Sequence, residues 1–114
     1  MSYSPGEIYN VDLAPSGEHR FVILSREELN RGNQIIAAMI TSANYAFRSK
    51  LPNCVPLQAG QFGMTQDCVI QCENIVALGT NELRGELIDE PDAATMREVI
   101  KALGHVFDAE CEPN

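Results

Sequence analysis

Two short apolar runs rich in β-branched residues dominate the first half of the chain. In one, Glu18-His19-Arg20 leads into Phe21-Val22-Ile23-Leu24; in the other, Gln34 leads into Ile35-Ile36-Ala37-Ala38-Met39-Ile40 and closes with Thr41-Ser42. Runs of this length and type predict buried β-strands. The polar link 26–33 lets them pair antiparallel, which sets the start of the first beside the end of the second. Arg20 and Thr41 then become neighbours at one end of a sheet. Upstream, residues 7–13 alternate, with Tyr9, Val11 and Leu13 on one face, and Pro15-Ser16-Gly17 predicts a turn. That makes a hairpin with the strand carrying Arg20. Ser25-Arg26-Glu27-Glu28 has the Ser-x-x-Glu form of a capping box, predicting one helical turn that starts at Ser25 and ends near Asn30 to Gly32.

The second half is less regular. Residues 43–53 are polar and basic and read as a loop. Residues 54–57 form a short strand whose Pro56 assigns it to an edge. Residues 60–65 make a turn, with Phe62 and Met64 either exposed or folded under. Residues 67–72 are another strand, which 73–78 either continue or leave as a helical turn; 83–88 end the sheet or lead into the last helix. In that helix Met96, Val99, Ile100, Leu103, Val106 and Phe107 recur at helical spacing. Asp89 or Glu90 is expected to cap it, with Pro91 where a missing amide costs little. The stripe packs on the sheet or across a dimer seam. No repeat, linker or low-complexity tract divides the chain, so 1–114 is one domain.

Charge changes the picture. The formal net charge is −8, from 8 basic and 16 acidic residues, which argues against a general nucleic-acid binder. The distribution is uneven. Residues 20–50 carry Arg20, Arg26, Arg31, Arg48 and Lys50 against Glu27 and Glu28, a local +3 that leaves −11 elsewhere. A basic patch on an acidic body suits a short single strand bound with strong salt dependence; scattered solvated charges are the ordinary reading. Within the patch Tyr45 and Phe47 interleave with Arg48 and Lys50, a pattern that stacks on unpaired bases while cations follow phosphates, or that pins a surface loop to the core.

The N-terminus lacks a charged-then-apolar signal pattern and no apolar run reaches membrane length, so a cytoplasmic protein is expected. Cys54, Cys68, Cys72 and Cys111 have no metal-type spacing, and neither His19 nor His105 stands at ligand distance from them. Cys68 and Cys72 share a strand face at a separation too long for a bridge, so reduced, partly buried thiols are expected.

One constellation carries candidate chemistry: Arg20 with Thr41, and around them Ser42, Ser16, Glu18 and His19. A guanidinium stabilises the extra charge of a pentacoordinate phosphate, and a hydroxyl orients one of its oxygens. Taken alone, an Arg at a strand end is more often a surface or ion-paired residue. His19 is a candidate general acid or base by residue type, yet strand alternation turns it to the face opposite Arg20.

The series Gly6-Glu7-Ile8-Tyr9-Asn10-Val11-Asp12-Leu13, Arg20-Phe21-Val22-Ile23-Leu24-Ser25, Asn30, Met39-Ile40-Thr41-Ser42, Asp67-Cys68-Val69-Ile70 and Glu73-Asn74-Ile75 resembles, in order, the MazF/PemK family of toxin endoribonucleases. The resemblance implies an α+β, mainly β fold: a small antiparallel SH3-like or CcdB-like barrel with a C-terminal helix and short helical turns. It implies a homodimer that cleaves single-stranded RNA at specific sequences, without metal or cofactor, by 2′-hydroxyl attack, and that a cognate antitoxin neutralises. Arg20 and Thr41 match the family's catalytic pair; His19, Glu18 and Ser42 are auxiliary candidates, and Arg48, Lys50, Tyr45 and Phe47 are candidates for RNA contact. Three features depart from the pattern. Phe21 stands where the family usually has Pro, the loop before Arg20 is short, and Val76 stands where a basic residue is common. Two other readings remain open at this point: a non-catalytic, gyrase-inhibiting relative of CcdB, whose usual aromatic tail this chain lacks, and a plain binding module.

Overall fold

The computed structural model describes residues 2–13 and 15–108. Six strands, β1 (Ile8–Asp12), β2 (Glu18–Ile23), β3 (Gln34–Thr41), β4 (Cys54–Leu57), β5 (Cys68–Gly79) and β6 (Leu83–Asp89), form one sheet in the order β4-β5-β3-β2-β1-β6. Every pairing is antiparallel. Two single-turn helices, α1 (Glu27–Asn30) and α2 (Tyr45–Arg48), interrupt the connections, and α3 (Ala93–Phe107) follows the sheet. This is the mainly β, antiparallel fold with a C-terminal helix that the resemblance implies; among the described residues the end strands β4 and β6 are not paired with each other, so the sheet is open.

The apolar runs of β2 and β3 lack strict alternation because both sheet faces are covered. On one face Ile8, Val22, Ala38, Ile40, Val55, Leu57, Ile70 and Cys72 pack with Val99 and Ala102 of α3. On the other, Tyr9, Val11, Phe21, Ile23, Ile35, Ala37 and Leu78 form a second cluster. Phe21 thus belongs to the core. The segment 73–78 continues β5, but with a bend: β3 pairs Ala38 with Ile75 and then Met39 with Gln71, so Cys72, Glu73 and Asn74 oppose nothing on β3. Such a bulge redirects a strand, and it lets the first half of β5 serve β4 as well.

Three local expectations need correction, and the stripe of α3 divides. Ser25 does not cap α1. Arg26 is its cap residue and makes no side-chain cap bond, while the buried Ser25 hydroxyl donates to Asn30 Oδ1 and accepts from the Ile36 N–H at 2.9 Å. The loop after β3 contains α2, entered through Asn44 in the left-handed region at φ 54°, a conformation asparagine tolerates. Neither Asp89 nor Glu90 caps α3: Asp92 does, accepting from the Thr95 N–H at 2.8 Å, and Pro91 precedes the cap. In the α3 stripe, Met96, Val99, Leu103 and Val106 pack inward, but Ile100 and Phe107 are 65% and 62% exposed. At about 100° per residue both fall on the shoulder of the stripe.

Candidate active site

The hairpin and the β2–β3 ladder build the site. Leu13 donates to the Gly17 carbonyl at 2.9 Å and Ser16 to the Leu13 carbonyl at 2.7 Å, with Gly17 at φ 92°, a conformation that favours glycine. This turn brings the chain back so that Asn10 pairs with Arg20, and Arg20 pairs on its other side with Ile40. Thr41 is therefore one residue along from the residue opposite Arg20, as antiparallel pairing requires.

A cavity of about 470 Å³ opens at this sheet end, lined by Glu18, His19, Arg20, Ile40, Thr41, Ser42, Ala43, Met64, Thr65, Gln66 and Cys68. A slightly larger one, about 510 Å³, lies between β4 and α3 and is lined by none of the candidate catalytic residues. The smaller cavity holds the candidate pair, since both Arg20 and Thr41 line it.

Arg20 Nη1 donates to the Gly63 carbonyl at 2.8 Å and approaches Met64 Sδ at 3.6 Å. The one ion pair among the described residues joins Arg31 to Glu27 at 3.5 Å, so no described carboxylate neutralises Arg20. Thr41 Oγ1 accepts from the Ala43 N–H at 3.1 Å, which leaves its hydroxyl hydrogen to donate into the cavity. Cys68 is buried here. Burial pushes its thiol pKa up, Arg20 pulls it down and Asp67 adds to the rise; the net direction is up, so the thiol is a neutral wall of the site.

Alternation turns His19 to the face opposite Arg20, yet both residues line the cavity. Phe21 and Ile23 lie in one core cluster and Val22 in the other, so His19 and Arg20 do leave β2 on opposite faces. The cavity, however, wraps the sheet end, and both line it. His19 Nε2 itself is buried without a hydrogen-bond partner. Glu18 and Ser42 are exposed on the rim. Ser16 is elsewhere, its hydroxyl donating to the Leu13 carbonyl at 2.6 Å. Tyr45, Phe47, Arg48 and Lys50 sit on and just after α2, outside the lining and joined to it through Ser42 and Ala43; Phe47 is 67% exposed. Among the described residues no three His, Cys, Asp or Glu side chains are grouped so as to hold a metal ion.

Sequence reasoning missed Gly63, Met64, Thr65 and Gln66. The pattern Gly60-Gln61-Phe62-Gly63 announces a turn, but nothing local says that the turn folds onto an arginine 43 residues away.

The whole architecture recurs in solved proteins. A mycobacterial endoribonuclease in complex with its cognate antitoxin matches at TM-score 0.80 and 25% identity, over 96% of this chain and 99% of that one. The Mycobacterium tuberculosis toxin MazF-mt6 matches at TM-score 0.78 and 24% identity, over 91% and 98%. A chain of a MazE-MazF crystal structure from Deinococcus radiodurans matches at TM-score 0.76 and 19% identity, over 96% of this chain and 99% of that one. No curated protein sequence matches the chain. The family model of PemK-like, MazF-like toxins of type II toxin-antitoxin systems matches residues 4–107, nearly the whole chain, and the protein belongs to that family.

Proposed function

We propose that this protein is a sequence-specific endoribonuclease toxin that cleaves single-stranded RNA without a metal ion. The observation that carries the reading is the convergence of Arg20 and Thr41 on one cavity, in a chain of the toxin family. The scissile phosphate sits between the two side chains. The adjacent 2′-hydroxyl attacks phosphorus, the bond to the 5′-oxygen breaks, and that oxygen leaves with a proton. The products are a 2′,3′-cyclic phosphate and a free 5′-hydroxyl. Arg20 stabilises the added negative charge, with no described carboxylate competing for it. Thr41 donates its hydroxyl to a non-bridging oxygen. His19, Glu18 and Ser42 flank the reaction as auxiliary groups.

The basic, aromatic segment Tyr45, Phe47, Arg48 and Lys50 extends the site along the RNA. An acidic antitoxin segment occupies the same path and silences the toxin. The chain works as a homodimer in the cytoplasm; no helix among the described residues is long and apolar enough to cross a membrane. Incubation of the purified protein with a long unstructured RNA in excess chelator tests the activity, and mapping the new ends reads its sequence preference. Intact RNA under every condition removes the reading in favour of a binding protein. Charge reversal at Arg48 and Lys50 should weaken the antitoxin, and unchanged affinity means the antitoxin lies elsewhere. Light scattering that returns a concentration-independent monomer mass removes the dimer.

A further inference from the structure

Arg20 is held by a carbonyl where a carboxylate would be the usual partner. A carboxylate fixes an arginine but cancels its charge, which would weaken it as a stabiliser of a phosphate anion. A backbone carbonyl orients one N–H and leaves the charge whole. The acceptor is Gly63, at 2.8 Å from Nη1, and the turn that presents it is tightly built. Gln61 donates to the Gln58 carbonyl at 2.9 Å, Met64 to the Gln61 carbonyl at 2.8 Å, and Gly60 to the Met64 carbonyl at 2.8 Å. The Asp67 carboxylate accepts from the Ala59 N–H at 2.9 Å. Met64 is 4% exposed and lies in the core, so the turn cannot swing without unpacking it.

The backbone at the contact is unusual. Phe62 and Gly63 have φ of 50° and 78°, and two successive residues in the left-handed region aim the Gly63 carbonyl at β2. A Cβ on Gly63 would lie 2.7 Å from Ile88 Cγ2. Glycine is therefore required there twice over, by φ and by space. A position this constrained, whose carbonyl meets the guanidinium of the site, has a use beyond making a turn.

We propose that Gly63 is a positioning residue for cleavage: its carbonyl anchors Arg20 Nη1 throughout the reaction, so that the remaining N–H groups of the guanidinium face the phosphate. The inference rests on the proposed role of Arg20. Anchoring lowers the cost of ordering a long side chain as charge develops, so its loss should act on kcat more than on KM.

The test uses the full-length protein, a short RNA containing the mapped cleavage sequence, and guanidinium ¹⁵N NMR with the Arg20 signal assigned by its absence in Arg20→Lys. In the wild type the Arg20 Nη protons should be slowed in exchange and rotation by the anchor. In Gly63→Ala that signature should vanish, with kcat down about a hundredfold, the scale of a misplacement near 1 Å, and KM changed less than about threefold. Gly63→Ala with Ile88→Ala removes the steric clash should the single variant fold poorly, and Ile88→Ala alone, still carrying Gly63, should keep both the signature and kcat. Free rotation of the wild-type Arg20 guanidinium overturns the proposal, as does a folded Gly63→Ala protein with normal kcat. A wild type with the anchored signature but no cleavage of any RNA removes the endoribonuclease reading and leaves the anchor intact.

Discussion

Asn30 is a buried polar residue, 3% exposed, in a structure with few of them. Its Nδ2 donates to the Tyr3 carbonyl at 2.9 Å and to the Ser25 carbonyl at 2.7 Å, and its Oδ1 accepts from the Ser25 hydroxyl. That hydroxyl in turn accepts from the Ile36 N–H at 2.9 Å. The network ties the N-terminal segment, the exit of β2 and the start of β3 together, at the end of the sheet away from the cavity. Asn30→Ala removes three hydrogen bonds and strands their partners in the interior. At about 1 kcal/mol net for each bond the loss is about 3 kcal/mol, or a Tm drop of about 12 °C for a chain of this size. Ser25→Ala removes two bonds, about 2 kcal/mol. The Ser25–Asn30 bond is counted in both single variants, so the double variant should lose about 4 kcal/mol, with a coupling of about 1 kcal/mol. Urea unfolding followed by circular dichroism, at one fixed protein concentration, measures all four proteins. The folded fraction of each variant should cleave RNA at the wild-type rate, because the network does not touch the cavity. Strict additivity of the two substitutions, or a cost below about 1 kcal/mol for Asn30→Ala, would refute the network as described.

Acid should weaken the fold in part through Glu73. Burial alone would raise its carboxyl pKa, but hydrogen bonds from its own backbone and from Asn53, Gln71 and Cys54 outweigh that and lower it. A depressed folded-state pKa gives stability that is complete above the ordinary carboxylate range, near pH 4.3, and is lost as pH falls through the folded value. Glu73→Gln should therefore flatten the stability profile below about pH 4.5, and an unchanged slope counts against these bonds. The thiols should be inert while the protein is folded. Burial pushes Cys54 to about 11 and Cys72 to about 12, and Cys68 also rises. In a Cys111→Ser background a thiol reagent at pH 8 should label these three only as fast as the protein unfolds, and rapid labelling in buffer contradicts their burial. His19→Gln should slow cleavage by less than about tenfold, since proton transfer is shared with solvent at an open cavity; a loss as large as that of Arg20→Ala would make His19 a principal catalytic group.

The sheet was legible because its central strands are short, apolar and β-branched, and because antiparallel pairing of two such runs has one geometric outcome at Arg20 and Thr41. Asn74 and its neighbours show where legibility stopped. Nothing in the composition of β5 distinguishes a strand that bulges at Cys72, Glu73 and Asn74 from one that runs straight. From sequence the cap of α3 is expected at Asp89 or Glu90, before Pro91, whereas the Asp92 side chain is the one that reaches the Thr95 N–H. Alternation correctly set His19 and Arg20 on opposite faces of β2, yet it says nothing about a cavity that wraps the strand end. The contact of Arg20 with Gly63 depends on tertiary folding across 43 residues, a distance at which local pattern carries no information.

The most direct measurement is the initial rate of cleavage of a long unstructured RNA, in excess chelator, by the wild type, Arg20→Ala and Thr41→Ala at matched folded concentration. Removing one preorganised charge stabiliser costs about a hundred- to a thousandfold in rate. The wild type should cut in chelator and leave 2′,3′-cyclic phosphate and 5′-hydroxyl ends. Arg20→Ala should fall by about that factor, and Thr41→Ala should be strongly impaired. Full activity in Arg20→Ala, with its circular dichroism spectrum unchanged, would contradict the account.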